Sequence, residues 1–227
     1  LKKAGKRIFF CQDNELQADL LKDYSETYCF SLEGNEKAPL QLSVKESVPF
    51  VQLAWGETIL PTHLIGKYNA MNAAAAICIG HYFKLSKEAI TRGIEGYVPS
   101  NNRSQWVKKD HDNQILMDAY NANPTSMHAA IEAFGEIKAP HKVLILGDMK
   151  ELGAYSQKEH QQLVDDIAAS VWDAVLLLGD NFYQTQTNFM KFRTITELNH
   201  YLKLHPFSDT FFLIKGSRSM TMEKIEI

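Results

Sequence analysis

Four continuously apolar runs in the second half of the chain have the pattern of strands that are buried on both faces. They cover residues 115–117, 143–146, 175–178 and 211–214. Stretches with helical periodicity lie between them, at residues 124–137, 157–170 and 197–204. Alternating strands and helices at this spacing predict right-handed crossovers. The second half of the chain is therefore predicted to be an α/β domain with a mostly parallel sheet.

The first half has shorter apolar segments broken by turn residues. Strands are predicted at residues 7–11, 27–31, 40–44 and 49–53, and the alternation of Leu40, Leu42 and Val44 predicts one solvent-exposed face. Helices are predicted at residues 67–83 and 87–96, with Ser86 as N-cap of the second. The segment Y-V-P-S-N-N-R-S, residues 97–104, is typical of a linker. We therefore predict two domains, residues 1–99 and 103–227.

Composition narrows the classes of function. The 227 residues carry a net charge of −3, which argues against a general nucleic-acid-binding or membrane-binding surface. The apolar helical segment near residues 70–80 is too short to span a bilayer. The 3 cysteines are far apart and lack zinc-site spacing, which indicates a reducing cytoplasm rather than a disulfide framework. Because the first residue is Leu rather than Met, we interpret it as a cut site.

Polar groups follow the predicted strands at their carboxyl ends, where ligands bind in parallel sheets. Asp118, Asp148 and Lys215 are expected at this edge. Asn123 is predicted to cap a helix whose first residue is Pro124. Asp118 leaves two interpretations open: its carboxylate accepts hydrogen bonds from a ribose or another diol, or it only binds backbone amides of its own turn.

The segment G-K-Y-N-A-M-N, residues 66–72, places Asn69 and Asn72 on one helical face. Two side-chain amides there can read an adenine edge, because each offers a donor and an acceptor. A pair of exposed or capping asparagines is the commoner explanation of such spacing. K-G-S-R, residues 215–218, offers Lys215 and Arg218 to a carboxylate or phosphate, or forms a solvated basic turn.

The segment G-D-M-K-E-L-G-A-Y-S-Q-K-E-H, residues 147–160, holds further candidates. Asp148 and Glu151 form a carboxylate pair or a polar loop, and Ser156 with Glu159 has the pattern of a capping box. His160 shares a helical face with apolar residues, which is more typical of a half-buried structural histidine than of a catalyst. The 8 histidines show no metal-ligand spacing, and no G-x-x-x-x-G-K-[ST] phosphate loop occurs.

Taken together, these motifs resemble the Mur ligase family. The resemblance rests on G-K-Y-N-x-x-N-A-x-A, N-N-R-S-Q, D-A-Y-N-A-N-P-T-S-M, L-G-D-M-x-E-L-G-x-x-S-x-x-x-H and K-G-S-R, in that order. It implies that residues 1–99 are the C-terminal part of a central ATPase domain, and that residues 103–227 are a Rossmann-like C-terminal domain. It further implies that a UDP-binding domain, the phosphate-binding loop and the metal ligands precede this sequence in family members.

The resemblance also implies an activity. The motifs are most similar to those of the branch that uses ATP and Mg²⁺ to join D-Ala-D-Ala to UDP-MurNAc-tripeptide through an acyl phosphate, in the synthesis of peptidoglycan precursors. We expect a monomer, with metal ligands outside this sequence, and we expect the chain alone to be inactive. Three alternatives stay open: a sister Mur ligase, a folylpolyglutamate synthase, or a non-catalytic binding module that kept the fold.

Roles are carried over residue by residue from the resemblance. The residues implied to bind the nucleotide are Tyr68, Asn69, Asn72, Arg103 and Asp118. Those implied to face the reacting phosphate and acyl groups are Asn121 and Asn123. Those implied to line the substrate site are Tyr120, Asp148, Glu151, Ser156, His160, Lys215, Ser217 and Arg218. Many family members have His where Tyr68 stands, so a role that requires a histidine is not implied here.

Overall fold

The structure is a computed structural model that describes residues 4–227. It divides into two compact units, Leu1–Val98 and Pro99–Ile227, and each unit is described by itself. The interpretation of Leu1 as a cut site lies outside the described residues. None of the helices within residues 4–227 is both long enough and apolar enough to cross a membrane.

Within residues 4–98, the first unit contains two small sheets and three α-helices. The parallel sheet has the order β1-β2-β3, with β1 at Ile8–Cys11, β2 at Thr27–Ser31 and β3 at Leu40–Gln41. The antiparallel sheet contains β4 (Ser43–Glu46), β5 (Phe50–Trp55) and β6 (Thr58–Ile65). The helices are α1 (Glu15–Leu21), α2 (Tyr68–Tyr82) and α3 (Lys87–Glu95).

Helix α2 packs its small residues into the core of this unit. Ala70, Ala73 and Ala74 are buried with Leu53 and Leu60 of the antiparallel sheet. Because alanine has little bulk, the helix can approach the strands closely. Helix α3 begins as predicted, since the Ser86 side chain accepts a hydrogen bond from the backbone N–H of Ala89 at 3.2 Å.

Three predictions for the first unit were incomplete or wrong. Residues 40–44 are not one strand, because the chain leaves β3 at Leu42, whose N–H donates to the carbonyl of Ser31 at 2.9 Å, and then enters β4 in the other sheet. Helix α1 was missed because its seven residues are too few for a helical period to stand out, although Leu16 and Leu20 lie four positions apart on one exposed face. Strand β6 was missed because its register contains Pro61, which reads as a strand breaker.

The second unit is built on one six-stranded sheet with the order β11-β10-β9-β12-β8-β7. Its strands are β7 (Gln105–Lys108), β8 (Gln114–Asp118), β9 (His141–Gly147), β10 (Ala174–Leu178), β11 (Met190–Phe192) and β12 (Thr210–Lys215). Only β7 pairs antiparallel to its neighbour. The helices are α4 (Pro124–Glu136), α5 (Ser156–Ala168), α6 (Asp180–Tyr183) and α7 (Ile195–Leu204). The predicted α/β class with a mostly parallel sheet is confirmed.

The starts of α4 and α5 differ in how well the sequence predicted them. Asn123 caps α4 as predicted, since its Oδ1 accepts from the N–H of Ser126 at 2.8 Å and its own N–H donates to Ser126 Oγ at 3.1 Å. The capping box predicted for Ser156 and Glu159 is wrong. A 3-10 turn at Gly153–Tyr155 runs directly into α5, so Tyr155 takes the N-cap position in a helical conformation without a side-chain cap.

Candidate active site

A buried ion pair joins the ends of two neighbouring strands in the second unit. Strands β8 and β12 are parallel and in register, so that Asp118 lies opposite Lys215. The Lys215 Nζ is 2.6 Å from Asp118 Oδ2, with side-chain exposures of 2% for the lysine and 17% for the aspartate. The prediction that Asp118 and Lys215 lie at the carboxyl edge of the sheet is therefore confirmed, whereas their direct contact was not predicted.

Further hydrogen bonds surround the Asp118–Lys215 pair. Asp118 Oδ1 accepts from the backbone N–H of Ser104 at 3.0 Å. Lys215 Nζ also donates to the carbonyl oxygen of Asn121 at 3.1 Å. These bonds offset part of the cost of removing two charges from water. They also tie residues before β7 and the loop after β8 to the end of β12.

Arg103 lies on the aromatic ring of Tyr120. Its guanidinium carbon is 3.5 Å from the ring centroid, in the range of a cation–π contact. The neighbouring Ser104 has a φ of 46°, a left-handed conformation that is uncommon for serine. Two adjacent residues of the predicted linker, Arg103 and Ser104, are thus bound to the loop that begins at Asp118.

Asn121 and Asn123 differ in their surroundings. Asn121 is exposed, and its Oδ1 accepts from the N–H of Ala122 at 2.9 Å. Asn123 uses its Oδ1 as the cap of α4. The second asparagine therefore has a structural role whatever its part in catalysis, and the catalytic role of both stays a prediction.

Asp148, directly after β9, is a buried hydrogen-bond acceptor. Its side chain has an exposure of 0%. It accepts from the backbone N–H groups of Asn181 at 3.1 Å and Phe182 at 3.0 Å, from the Asn181 side-chain amide at 3.1 Å, and from Lys150 Nζ at 3.0 Å. Gly179 has a φ of 117° and passes so close to this carboxylate that a Cβ there would collide with it.

His160 is also fully buried, and its ring nitrogens are both engaged. Nε2 accepts from the backbone N–H of Met149 at 3.0 Å, and Nδ1 lies 2.6 Å from the carbonyl oxygen of Ser156, to which it donates. This pattern requires a neutral ring with its proton on Nδ1. Burial lowers the pKa of His160, and this effect outweighs the attraction of Asp148, whose Oδ1 is 3.9 Å from Nε2.

The loops after β9 and β12 are bonded to each other. The N–H of Ser217 donates to the carbonyl oxygen of Asp148 at 3.2 Å, and the N–H of Lys150 donates to Ser217 Oγ at 2.8 Å. The sequence analysis did not identify Lys150 as a site residue, although it is the basic residue closest to Asp148 along the sequence. Its side chain is 43% exposed, so its ammonium is anchored by Asp148 while part of it faces solvent.

Two predicted substrate residues lie outside this bonded network. Glu151 is exposed, with a φ of 67°, whereas Asp148 is buried, so the two carboxylates occupy different environments. Arg218 is 60% exposed and lies 3.4 Å from Glu223 Oε1. Both side chains are accessible to a ligand at the sheet edge, and their contact with a substrate stays a prediction.

The predicted adenine residues belong to the first unit. Asn69 is buried and donates from Nδ2 to the carbonyl oxygen of Ile65 at 2.8 Å, while Asn72 Nδ2 donates to Asn69 Oδ1 at 2.9 Å. The two amides share one helical face as predicted, but they bind each other and the backbone. Tyr68, which is 37% exposed, lines a cleft of about 590 Å³ together with Lys67 and Met71.

Among residues 4–227, no three His, Cys, Asp or Glu side chains gather into an arrangement that could hold a metal ion. The two carboxylates at the sheet edge are separately engaged, Asp118 by Lys215 and Asp148 by Lys150.

Two curated proteins to which this chain is similar carry the same enzyme name. The chain is 33% identical over 172 residues to a UDP-N-acetylmuramoyl-tripeptide–D-alanyl-D-alanine ligase of Bacillus subtilis, a match that covers 71% of this chain and 38% of the relative. The enzyme of the same name from Treponema pallidum is 34% identical over 172 residues, covering 72% and 37%. The chain thus spans well under half the length of these curated relatives.

Solved structures of MurF superpose on this chain over nearly its whole length. A crystal structure of MurF from Acinetobacter baumannii superposes with a TM-score of 0.79 at 26% identity, covering 96% of this chain and 50% of that chain. MurF from Thermotoga maritima in complex with ADP has the same fold, with a TM-score of 0.76 at 18% identity, covering 97% and 52%.

A protein-family model described as the glutamate ligase domain of Mur ligases matches residues 102–218, more than half of the 227 residues. That range contains the loops after β8 and β9 and the whole K-G-S-R segment at residues 215–218, so the matched region includes the bonded sheet edge. The chain belongs to the Mur ligase family.

Proposed function

We propose that this chain forms part of an ATP-dependent ligase that adds D-Ala-D-Ala to UDP-MurNAc-tripeptide in peptidoglycan precursor synthesis. One observation carries the proposal: the loops after β8, β9 and β12, which hold the family motifs, are bonded to one another at one edge of the sheet. The names of the bacterial relatives support the substrates. The neighbour in complex with ADP supports ATP as the nucleotide.

In the proposed reaction, the tripeptide carboxylate takes the terminal phosphoryl group of ATP, giving an acyl phosphate and ADP. The amine of D-Ala-D-Ala then displaces phosphate and forms the amide. The work of the protein is to hold two anionic substrates and a nucleotide in line, which supplies a large part of the rate enhancement in such reactions. Residues of this chain contribute to that positioning.

On the nucleotide side, Asp118 can still accept a ribose hydroxyl. A carboxylate offers about four lone-pair sites, and the Ser104 N–H, the Ser104 hydroxyl and the Lys215 ammonium use three of them, which leaves one site on Oδ2. We propose that Arg103, stacked on Tyr120, faces the phosphates, and that Tyr68 with Asn69 and Asn72 lies near adenine. Tyr68 is placed on the cleft of the first unit, which supports that part of the proposal.

On the amine side, we propose that the exposed groups at the sheet edge bind the dipeptide. These groups are Lys150, Glu151, Tyr120 and Arg218, with Ser217 beside them. Asp148 and His160 have no exposed surface. Their proposed role is therefore to hold the loop that carries Lys150, and Ser156 takes part through the carbonyl oxygen that binds His160.

We further propose that Leu1–Val98 corresponds to the C-terminal part of the central ATPase domain and Pro99–Ile227 to the Rossmann-like domain. The chain alone is proposed to be inactive, because its sequence contains no phosphate-binding loop. The Mg²⁺ ligands are proposed to lie outside this sequence. The ligase is proposed to work as a monomer in the cytoplasm.

The test is an assay of ADP release by the full-length protein that contains this sequence. Mg·ATP and UDP-MurNAc-tripeptide are supplied, and D-Ala-D-Ala or single amino acids are added in turn. We expect release that depends on D-Ala-D-Ala and that falls about tenfold to a hundredfold in Asp118→Ala, since the variant loses a charged hydrogen-bond acceptor on the nucleotide.

Each other result would assign a different function. Release only with a single amino acid would place the protein among the sister ligases or the folylpolyglutamate synthases. No release with any amine, from a folded protein, would favour a binding module. Activity unchanged in Asp118→Ala would contradict the ribose role while leaving the reaction in place.

A further inference from the structure

Lys215 differs from the other basic residues at the sheet edge in its burial. Its side chain is 2% exposed, against 43% for Lys150 and 60% for Arg218. A cation that binds a substrate carboxylate must present free N–H groups to it. Lys150 and Arg218 meet this condition, whereas Lys215 points its ammonium into the protein.

The ammonium of Lys215 is committed to the loop after β8. It binds the Asp118 carboxylate at 2.6 Å and the carbonyl oxygen of Asn121 at 3.1 Å. A lysine ammonium has three N–H donors, so two of the three hold the first and fourth residues of this loop. Asp118 is held from its other oxygen by the N–H of Ser104 at 3.0 Å.

We propose that Lys215 is a positioning residue for the nucleotide and not a ligand of the incoming dipeptide. It fixes the direction of the Asp118 carboxylate and the path of the backbone to Asn121, so that the Oδ2 lone pair which Lys215 and Ser104 leave free meets a ribose hydroxyl. This inference rests on the proposed function, because it assigns Lys215 to the nucleotide half of that site. It replaces the substrate-contact role that the family resemblance implies for Lys215.

The test separates the two halves of the site by steady-state kinetics on the full-length protein. Initial rates of Lys215→Met are measured with ATP varied at saturating D-Ala-D-Ala, and then with D-Ala-D-Ala varied at saturating ATP. We expect the KM for ATP to rise about tenfold, the size expected when one charged hydrogen bond is lost, while the KM for D-Ala-D-Ala stays within about twofold. Lys215→Arg should recover part of the loss.

Lys142→Met is the matched control. Lys142 lies near the opposite end of the same sheet, where its Nζ binds the carbonyl oxygen of Gly135 at 2.7 Å. It contacts none of the proposed site residues. This variant should leave both KM values unchanged, which excludes a general effect of removing a lysine from the sheet.

A double variant keeps the test valid if Lys215→Met does not fold, since that change leaves a buried carboxylate without its cation. Asp118→Asn with Lys215→Met removes both charges. If Lys215 acts through Asp118, the double variant has the same KM for ATP as Asp118→Asn alone. An additional increase in the KM for D-Ala-D-Ala in the double variant would overturn the proposal.

The main contrary result is a raised KM for D-Ala-D-Ala in Lys215→Met with an unchanged KM for ATP, which would make Lys215 a dipeptide ligand.

If the wild-type protein releases no ADP with any amine, the proposed function fails, and ATP binding to wild type and to Lys215→Met is then titrated directly. A tenfold weaker ATP affinity in Lys215→Met would still support the positioning role. Equal affinities of wild type and variant would overturn it.

Discussion

At the residue scale, the two aspartates that follow β8 and β9 have different environments. Asp118 keeps 17% of its side chain exposed, whereas Asp148 has 0% and accepts from four donors. Asp118 accepts from three donors and keeps one acceptor site and some exposed surface for a ligand, whereas Asp148 is enclosed by its four donors and stabilises the loop around it. The sequence shows both residues only as an acid after an apolar run.

The state of His160 leads to a prediction about pH. Its pKa is lowered by burial, so the unfolded chain binds a proton more readily than the folded one. The stability it contributes is fully present above the unfolded pKa of about 6.5 and is lost as the pH falls through the lower pKa of the folded state. We expect wild type to lose roughly 1 kcal/mol more stability than His160→Gln between pH 7.5 and pH 5.

Urea unfolding at a series of pH values measures this difference. His128→Gln is the control, because it removes an imidazole whose side chain is 45% exposed. Parallel pH profiles for wild type and His160→Gln would contradict a neutral, buried His160.

At the element scale, α1, α4 and α5 illustrate how local signals succeed or fail. Helix α4 has a local start signal, Asn-Pro with Ser three residues later, and it begins where predicted. Helix α5 has a capping-box pattern, but a 3-10 turn runs directly into it and leaves Tyr155, in a helical conformation, at the N-cap position. Helix α1 has an N-cap at Asn14 and two leucines four positions apart, Leu16 and Leu20, but it is only seven residues long, which is too short for periodicity to identify it.

The cap of α4 provides a test that separates structure from catalysis at Asn123. Asn123→Ala should lower the free energy of unfolding by about 1 kcal/mol, because Ser126 N–H loses its acceptor. Asn123→Asp should keep that stability, since a carboxylate oxygen caps equally well. Urea denaturation of both variants measures the cap.

The same pair of variants addresses the catalytic role when ADP release is assayed in the full-length protein. If Asn123 acts only as a cap, Asn123→Asp retains wild-type activity. A large loss of kcat in this stable variant would mean that the amide N–H groups act in the site. Destabilisation by Asn123→Asp as severe as by Asn123→Ala would contradict the cap itself.

At the scale of the whole molecule, each unit has its own core. The core of Pro99–Ile227 is built from its own strands and helices, with Val143, Leu176, Phe212 and Ile214 among its buried residues. A domain of this size with an internal core is expected to unfold cooperatively. The two units therefore need not share a core in order to fold.

We predict that residues 99–227 fold when expressed alone. Trp106 and Trp172 lie in this unit, so their fluorescence and the near-ultraviolet circular dichroism report its tertiary packing. A single sigmoidal urea transition, coincident by both probes, is expected. A near-ultraviolet signal that is lost while helical signal remains would indicate a molten globule and would contradict the prediction.

The sequence by itself determined the parallel sheet of the second unit, the start of α4 and the chemical identity of the groups at the sheet edge. These features depend on local periodicity and on strand order, which neighbouring residues encode. Only the tertiary structure decided that Lys215 points inward to Asp118, that Asp148 is buried, and that Lys150 is not. These facts depend on contacts between residues far apart in the sequence, such as Asp118 and Lys215, which are 97 positions apart. The distance and burial of such a pair are set by the packing of the folded chain and not by any local pattern.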